Sequence, residues 1–107
     1  MKIQWTEHSK IKMRQYGLSK SKMISILRKP ERVEQGIADG TMAVMKTNKP
    51  FPGSKKKVFG EIWLMYKDDK AFRKIISAWR YPGISKPGEA IPIPREIRDE
   101  LLHESFH

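Results

Sequence analysis

Two stretches in the middle of the chain limit the folds open to it. Val58 to Tyr66 and Phe72 to Trp79 are rich in β-branched and aromatic residues, which favour strands. In the first, Val58, Ile62, Leu64 and Tyr66 fall on one face and Phe59, Glu61, Trp63 and Met65 on the other. Successive strand residues point to opposite faces, so a strand that is largely apolar on both must be covered on both. The pattern predicts a central strand. Lys67-Asp68-Asp69-Lys70 turns it into an antiparallel neighbour, the last strand of a meander. With 107 residues there is room for one modest core, so residues 1–107 are read as a single domain.

The elements before this pair are short. Ile3 and Trp5 share a face of an opening extended segment, and Thr6 offers an N-cap with Glu7 in the first turn of a helix running to about Tyr16. Gly17 suits the left-handed position that ends a helix. Ser19 caps a second helix carrying Met23, Ile24, Ile26 and Leu27, which Pro30 stops. Val33 then begins a short strand, Ala38-Asp39-Gly40-Thr41 supplies turn chemistry, and Met42 to Met45 reads as a buried strand. Thr47 to Lys57 contains Pro50, Pro52 and Gly53 among its lysines and is expected to be a solvated loop. After the meander, Pro82, Pro87, Pro92 and Pro94 keep residues 82–94 extended over the surface, and Arg95 to His103 forms a final amphipathic helix. The expected fold is α+β: two N-terminal helices packed on a roughly four-stranded antiparallel sheet, followed by a proline-rich extension and a short C-terminal helix.

Charge is distributed unevenly. Residues 1–57 carry 14 Lys and Arg against 4 Asp and Glu, whereas residues 58–107 carry 8 against 8, so the first half holds the whole excess of +10. Segregated positive charge points to a polyanionic partner, RNA or another nucleic acid. A solvated face, or a surface for an acidic protein, is the competing reading. There is no cysteine, which excludes disulfides, thiolate metal sites and cysteine nucleophiles. His103 and His107 stand four apart without the Glu-x-x-His frame of a metal site, so neither a metal nor another cofactor is expected. No apolar run reaches membrane-spanning length and the N-terminus lacks a signal-peptide block, so the expectation is a cytoplasmic protein with no membrane partner.

Three groups of residues carry chemistry. In the first helix, His8, Lys12 and Gln15 form one row and Ser9, Met13 and Tyr16 another, the second facing the core. A lysine beside His8 favours neutral imidazole, which can accept a proton from a ribose 2′-hydroxyl; the competing role is a tether between helix and strand. Lys74, Arg80 and Tyr81, on and just after the last strand, offer phosphate ligands and a proton donor. Trp79 and Tyr81 as core or edge aromatics, with Arg80 in solvent, is the alternative. Lys55, Lys56 and Lys57, backed by Lys46 and Lys49, could clamp a nucleic-acid backbone while Phe51 stacks a base, and Arg14 adds a further cation.

The run Trp5-Thr6-Glu7-His8-Ser9-x-x-Lys12-Met13-x-x-Tyr16-Gly17-Leu18-Ser19, followed by Lys29-Pro30-Glu31-Arg32-Val33, resembles the motif of a small uncharacterised bacterial family. That pattern is roughly His-Ala-x-x-Arg-Met-x-x-Arg-Gly-Ile-Ser, then a Pro-Glu-x-Val step. The family looks related to the RelE/BrnT-like toxins, many of which cleave RNA without a metal. The resemblance implies an endoribonuclease toxin of a toxin–antitoxin pair, held by an acidic antitoxin, with His8 as general base or acid, Lys12 and Arg80 as phosphate ligands and Tyr81 as acid. Lys12 and Tyr16 stand where the family often has arginines, so the bidentate phosphate grip is missing. A non-catalytic nucleic-acid-binding or protein-interaction module on the same fold is the alternative.

Overall fold

The structure, a computed structural model, describes residues 2–48, 53, 55 and 60–103, apart from the side chain of His103. The elements are β1 (Lys2–Trp5), α1 (Glu7–Tyr16), α2 (Lys20–Arg28), β2 (Arg32–Gln35), β3 (Thr41–Thr47), β4 (Glu61–Asp69), β5 (Phe72–Tyr81) and α3 (Arg95–His103). The sheet has the order β1-β5-β4-β3-β2. It is five-stranded and mixed, which corrects the expected four antiparallel strands. The extra member is the opening segment: β1 pairs in parallel with β5, Lys2 beside Phe72 and Trp5 beside Ile75. A four-residue strand can pair in either direction, and its partner lies some seventy residues downstream, so local pattern carries no trace of the choice.

β4 is central and apolar on both sides, and it sorts the core into two. Ile62 and Leu64 join Met13, Leu18, Met23, Ile26, Val44, Ile75 and Ala78 beneath α1 and α2. Trp63 and Met65 join Ala43, Met45, Ile76, Trp79, Ile91, Ile97 and Leu101 beneath α3 and the proline-rich segment. The C-terminal segment is therefore the second covering layer. Trp63 and Trp79 are cross-strand partners, stacked with centroids 6.2 Å apart and planes 6° from parallel.

Turn chemistry differs from expectation at one end of this pair. Lys67, Asp68 and Asp69 continue β4, and the chain reverses over Lys70 and Ala71, with Lys70 at a φ of 55°. At the other end, Gly60 has a φ of 127°, and a Cβ there would run into the Tyr81 carbonyl oxygen. Asn48 N–H donates to Gly60 at 2.8 Å, so both ends of the lysine-rich segment are anchored together at this edge. The start of the predicted strand, Val58 and Phe59, lies outside the described residues.

The outer edge of β5 is closed by two different elements. β1 covers its first half; Thr6 then donates to the Ile75 carbonyl through both its N–H and, at 2.8 Å, its hydroxyl, while that hydroxyl accepts from Ser9 N–H. One residue thus ends the strand pairing and caps α1, and α1 continues alongside the remainder of β5. Within β5 a bulge opposite Met65 and Tyr66 pairs Ile75 with Tyr66 and Ser77 with Met65, leaving Ile76 as the extra residue. Ser77 thereby comes to the α3 side of the sheet.

The proline-rich segment is clipped to that side. Glu61, 1% exposed, accepts from Trp63 Nε1, Ser85 N–H and the Ser85 hydroxyl, and Arg32 donates to the same hydroxyl at 2.6 Å. Arg32 also lies over the Trp63 ring and donates to the Glu89 carbonyl, and Trp79 Nε1 donates to the Pro92 carbonyl. Replacing Trp63 with Ala should cost about 3–5 kcal/mol, the range for deleting a buried aromatic. It removes the stacked partner of Trp79 and one donor to Glu61, and urea denaturation monitored by far-ultraviolet circular dichroism measures the loss.

Candidate functional site

Of the helical row His8, Lys12 and Gln15, read as the accessible side of the first helix, Gln15 is exposed, His8 is half-buried and Lys12 is buried. Lys12 is 5% exposed because α3 lies across it. A buried ammonium needs acceptors. Glu100 Oε2 stands 3.5 Å from Lys12 Nζ and 3.3 Å from His8 Nε2, Glu96 Oε1 is 3.9 Å from the same ammonium, and Gln15 Oε1 accepts from it at 3.2 Å. Gln15 in turn donates to Glu96 at 3.0 Å. The buried Glu100 oxygen meets both the ammonium and the imidazole at ion-pair distance without hydrogen-bond directionality. The expected core row holds, with Ser9 and Met13 buried and Tyr16 half-buried.

His8 Nε2 also lies 3.2 Å from Ser77 Oγ, the hydroxyl brought round by the bulge. A Ser, a His and a Glu are thus adjacent, but both contacts converge on one ring nitrogen. A nucleophile–base–acid relay uses the two nitrogens separately, so this group is not one. Its chemistry is that of an imidazole and an ammonium gathered around one oxyanion. Tyr16 joins from the same helix: burial raises its hydroxyl pKa above the ordinary value, and the charge of Glu96 and a hydrogen bond to it raise it further.

Arg80 is elsewhere. Its cross-strand partner is Ile62, on the α1 and α2 side, whereas Ser77 pairs with Met65 on the α3 side. The guanidinium donates to the Tyr16 carbonyl at 2.7 Å and the Gly17 carbonyl at 3.3 Å, closing the C-terminus of α1. Arg80 and the His8 cluster therefore act on opposite faces. Tyr81 is half-buried against the α3-side core, its ring over Gly83. Lys74 pairs with Asp69 at 3.4 Å and lies six residues from Arg80, roughly 20 Å along the strand. The expected catalytic set of His8, Lys12, Arg80 and Tyr81 is not gathered around one opening.

Of the expected nucleic-acid contacts, Arg14 is exposed in the last turn of α1, Lys55 is exposed, and Lys46 is half-buried on β3. Lys49, Lys56, Lys57 and the stacking candidate Phe51 lie outside the described residues, as does the side chain of His103. Lys46 has company that sequence reading did not assign to it. Lys46 pairs with Ile62 and so faces α2, where it lines an open cleft of about 420 Å³ with Ser21, Ile24, Ser25, Arg28 and Lys29. Helical spacing places Ser21, Ser25 and Arg28 on one face of α2; the convergence with a lysine from β3 exists only once α2 has packed on the sheet.

Glu96 and Glu100 were the largest omission. In the sequence they are two carboxylates on an exposed-looking terminal helix, with nothing to link them to a histidine some ninety residues earlier. Glu61, Arg32 and Ser85 were likewise invisible as a network. Among the described residues no group of three or more His, Cys, Asp or Glu is placed to hold a metal, and no helix is long and apolar enough to cross a membrane. No family model matches the chain, and no characterised protein or solved structure matches it.

The Tyr16 environment is directly measurable. Above the ordinary tyrosine pKa the folded chain retains a proton that the unfolded chain loses, so Tyr16 lowers stability as pH rises through the alkaline range. Glu96→Gln should move its titration down toward the ordinary value but not to it, because burial is the larger cause. Ring-labelled tyrosine NMR resolves this; an unchanged titration would remove Glu96 as a cause.

Proposed function

We propose that the protein is an RNA-directed binding module whose contact surface is the basic face formed by α2 and the end of β3, with Lys49, Lys55, Lys56 and Lys57 as further phosphate contacts. The observation carrying this reading is where charge is left uncompensated. The carboxylates of α3 meet His8 and Lys12, and those at the β4–β5 turn meet Arg73 and Lys74. α2 bears Lys20, Lys22 and Arg28, with Lys29 just beyond it, and no carboxylate of its own. Among the described residues none of these four has an ion pair, although Lys20 lies over the Trp5 ring. Asn48 donates to the Gly60 carbonyl at the sheet end that also presents Lys46, and the sequence between those two residues holds Lys49, Lys55, Lys56 and Lys57.

Binding by such a face displaces counterions, so affinity should fall steeply with salt. Fluorescence anisotropy with single-stranded RNA should give a linear fall of log affinity against log salt. Each of Lys22→Gln and Lys29→Gln should flatten the slope by roughly 0.7 if it removes one phosphate contact. Absence of RNA binding even at about 50 mM salt would end the proposal.

A second reading, a metal-independent endoribonuclease of the RelE/BrnT-like kind, is favoured by the His8 cluster alone. Glu100 Oε2 sits between imidazole and ammonium as a phosphate oxygen would, so α3 occupies the position a scissile phosphate needs. On this reading Glu100→Gln releases RNA cleavage that His8→Ala abolishes. Intact RNA after prolonged incubation with both the parent chain and Glu100→Gln would leave the binding module alone. A toxin role with an acidic antitoxin belongs to this second reading.

A further inference from the structure

We infer that the cleft between α2 and β3 is a seat for a phosphomonoester, carried either by the end of an RNA strand or by a free mononucleotide. The inference refines the proposed RNA-binding face by naming the group that anchors there.

Three cations reach the cleft from two elements, Arg28 and Lys29 from the end of α2 and Lys46 from β3. The nearby carboxylate of Glu31 accepts from Thr47, from its N–H and from its hydroxyl at 3.0 Å, and keeps its negative charge. Part of the positive charge has a local explanation, because the C-terminus of a helix carries about half a negative charge. With Glu31 counted as well, that leaves roughly one and a half positive charges at one small opening. An internal phosphodiester brings a single negative charge, whereas a phosphomonoester brings about 1.5 to 2 at neutral pH, together with additional acceptor oxygens. The dianion is the better electrostatic match.

The remaining lining supports the same class. Ser21 and Ser25 stand one turn apart on the wall, and neither hydroxyl makes a hydrogen bond within the described residues, so both can donate to phosphate oxygens. Ile24, half-buried between them, gives a sugar or base an apolar surface. A volume of about 420 Å³ is within the range of small-ligand pockets and suits one nucleotide. Arg28 provides the planar fork that grips two phosphate oxygens, and the lysines supply point charges around it.

The test compares one RNA oligonucleotide bearing a 5′-phosphate, a 3′-phosphate or neither, by anisotropy at about 0.15 M salt, alongside AMP, UMP and inorganic phosphate followed by amide NMR. An end phosphate should tighten binding by about tenfold, and Arg28→Gln or Lys46→Gln should erase that difference. Amide shifts from AMP or UMP confined to residues 21–29 and 46 would assign the seat to free mononucleotides as well; shifts from an end-phosphorylated oligonucleotide only would assign it to RNA ends. Equal binding of all three oligonucleotides, with no amide shift from the small phosphates, overturns the phosphomonoester seat while leaving RNA binding intact. Failure of every oligonucleotide to bind, with mononucleotide shifts in the cleft, overturns the RNA-binding face and keeps the seat.

Discussion

Everything in this fold depends on β4 and β5 being apolar on both faces. A sheet with only one greasy side could rest on α1 and α2 and leave its other side in water. Here Trp63 and Trp79 project away from those helices, and exposing two stacked indoles to solvent would forfeit several kcal/mol. The chain after Tyr81 therefore returns across the second face. Its prolines suit an extended path, and polar clips secure it: Ser85 on Glu61, Glu89 on Arg32, Pro92 on Trp79.

That return has an electrostatic consequence. Ile97 and Leu101 turn inward against the tryptophans, and helical geometry then places Glu96 and Glu100 toward the edge of the sheet, where α1 runs. Two carboxylates of α3 are thus turned on the first helix, meeting the histidine and lysine that looked most reactive. α2 crosses the opposite face and meets none of those carboxylates. The asymmetry of charge along the sequence becomes an asymmetry in space, and part of the excess lines the cleft that Lys46 shares with Arg28 and Lys29.

Local chemistry was legible where it depends on neighbours a few residues apart. Thr6 and Ser19 cap their helices as read, and Gly17 takes the left-handed position that ends α1. The two faces of β4 divide along the alternation seen in the sequence, and α3 spans the expected residues. Readings that needed a distant partner fared differently. β1 was seen as extended but its parallel pairing with β5 was not, and Arg80, expected to meet phosphate, caps the carbonyls of α1. The bulge that swings Ser77 toward His8 leaves no mark in the pattern of buried residues from Ile75 to Trp79.

The sequence by itself determined the helices with their caps, the two-faced central strand and the concentration of positive charge in residues 1–57. These follow from side-chain spacing, backbone preference and composition, which are local or additive properties. Tertiary structure alone decided which cations remain available. Whether a lysine is buried against a carboxylate or left facing a cleft depends on which element lands beside it. Lys12 and Lys46 look alike in the sequence; one is closed under α3 and the other opens beside α2, because the Trp63–Trp79 face drew the acidic helix to one side of the sheet.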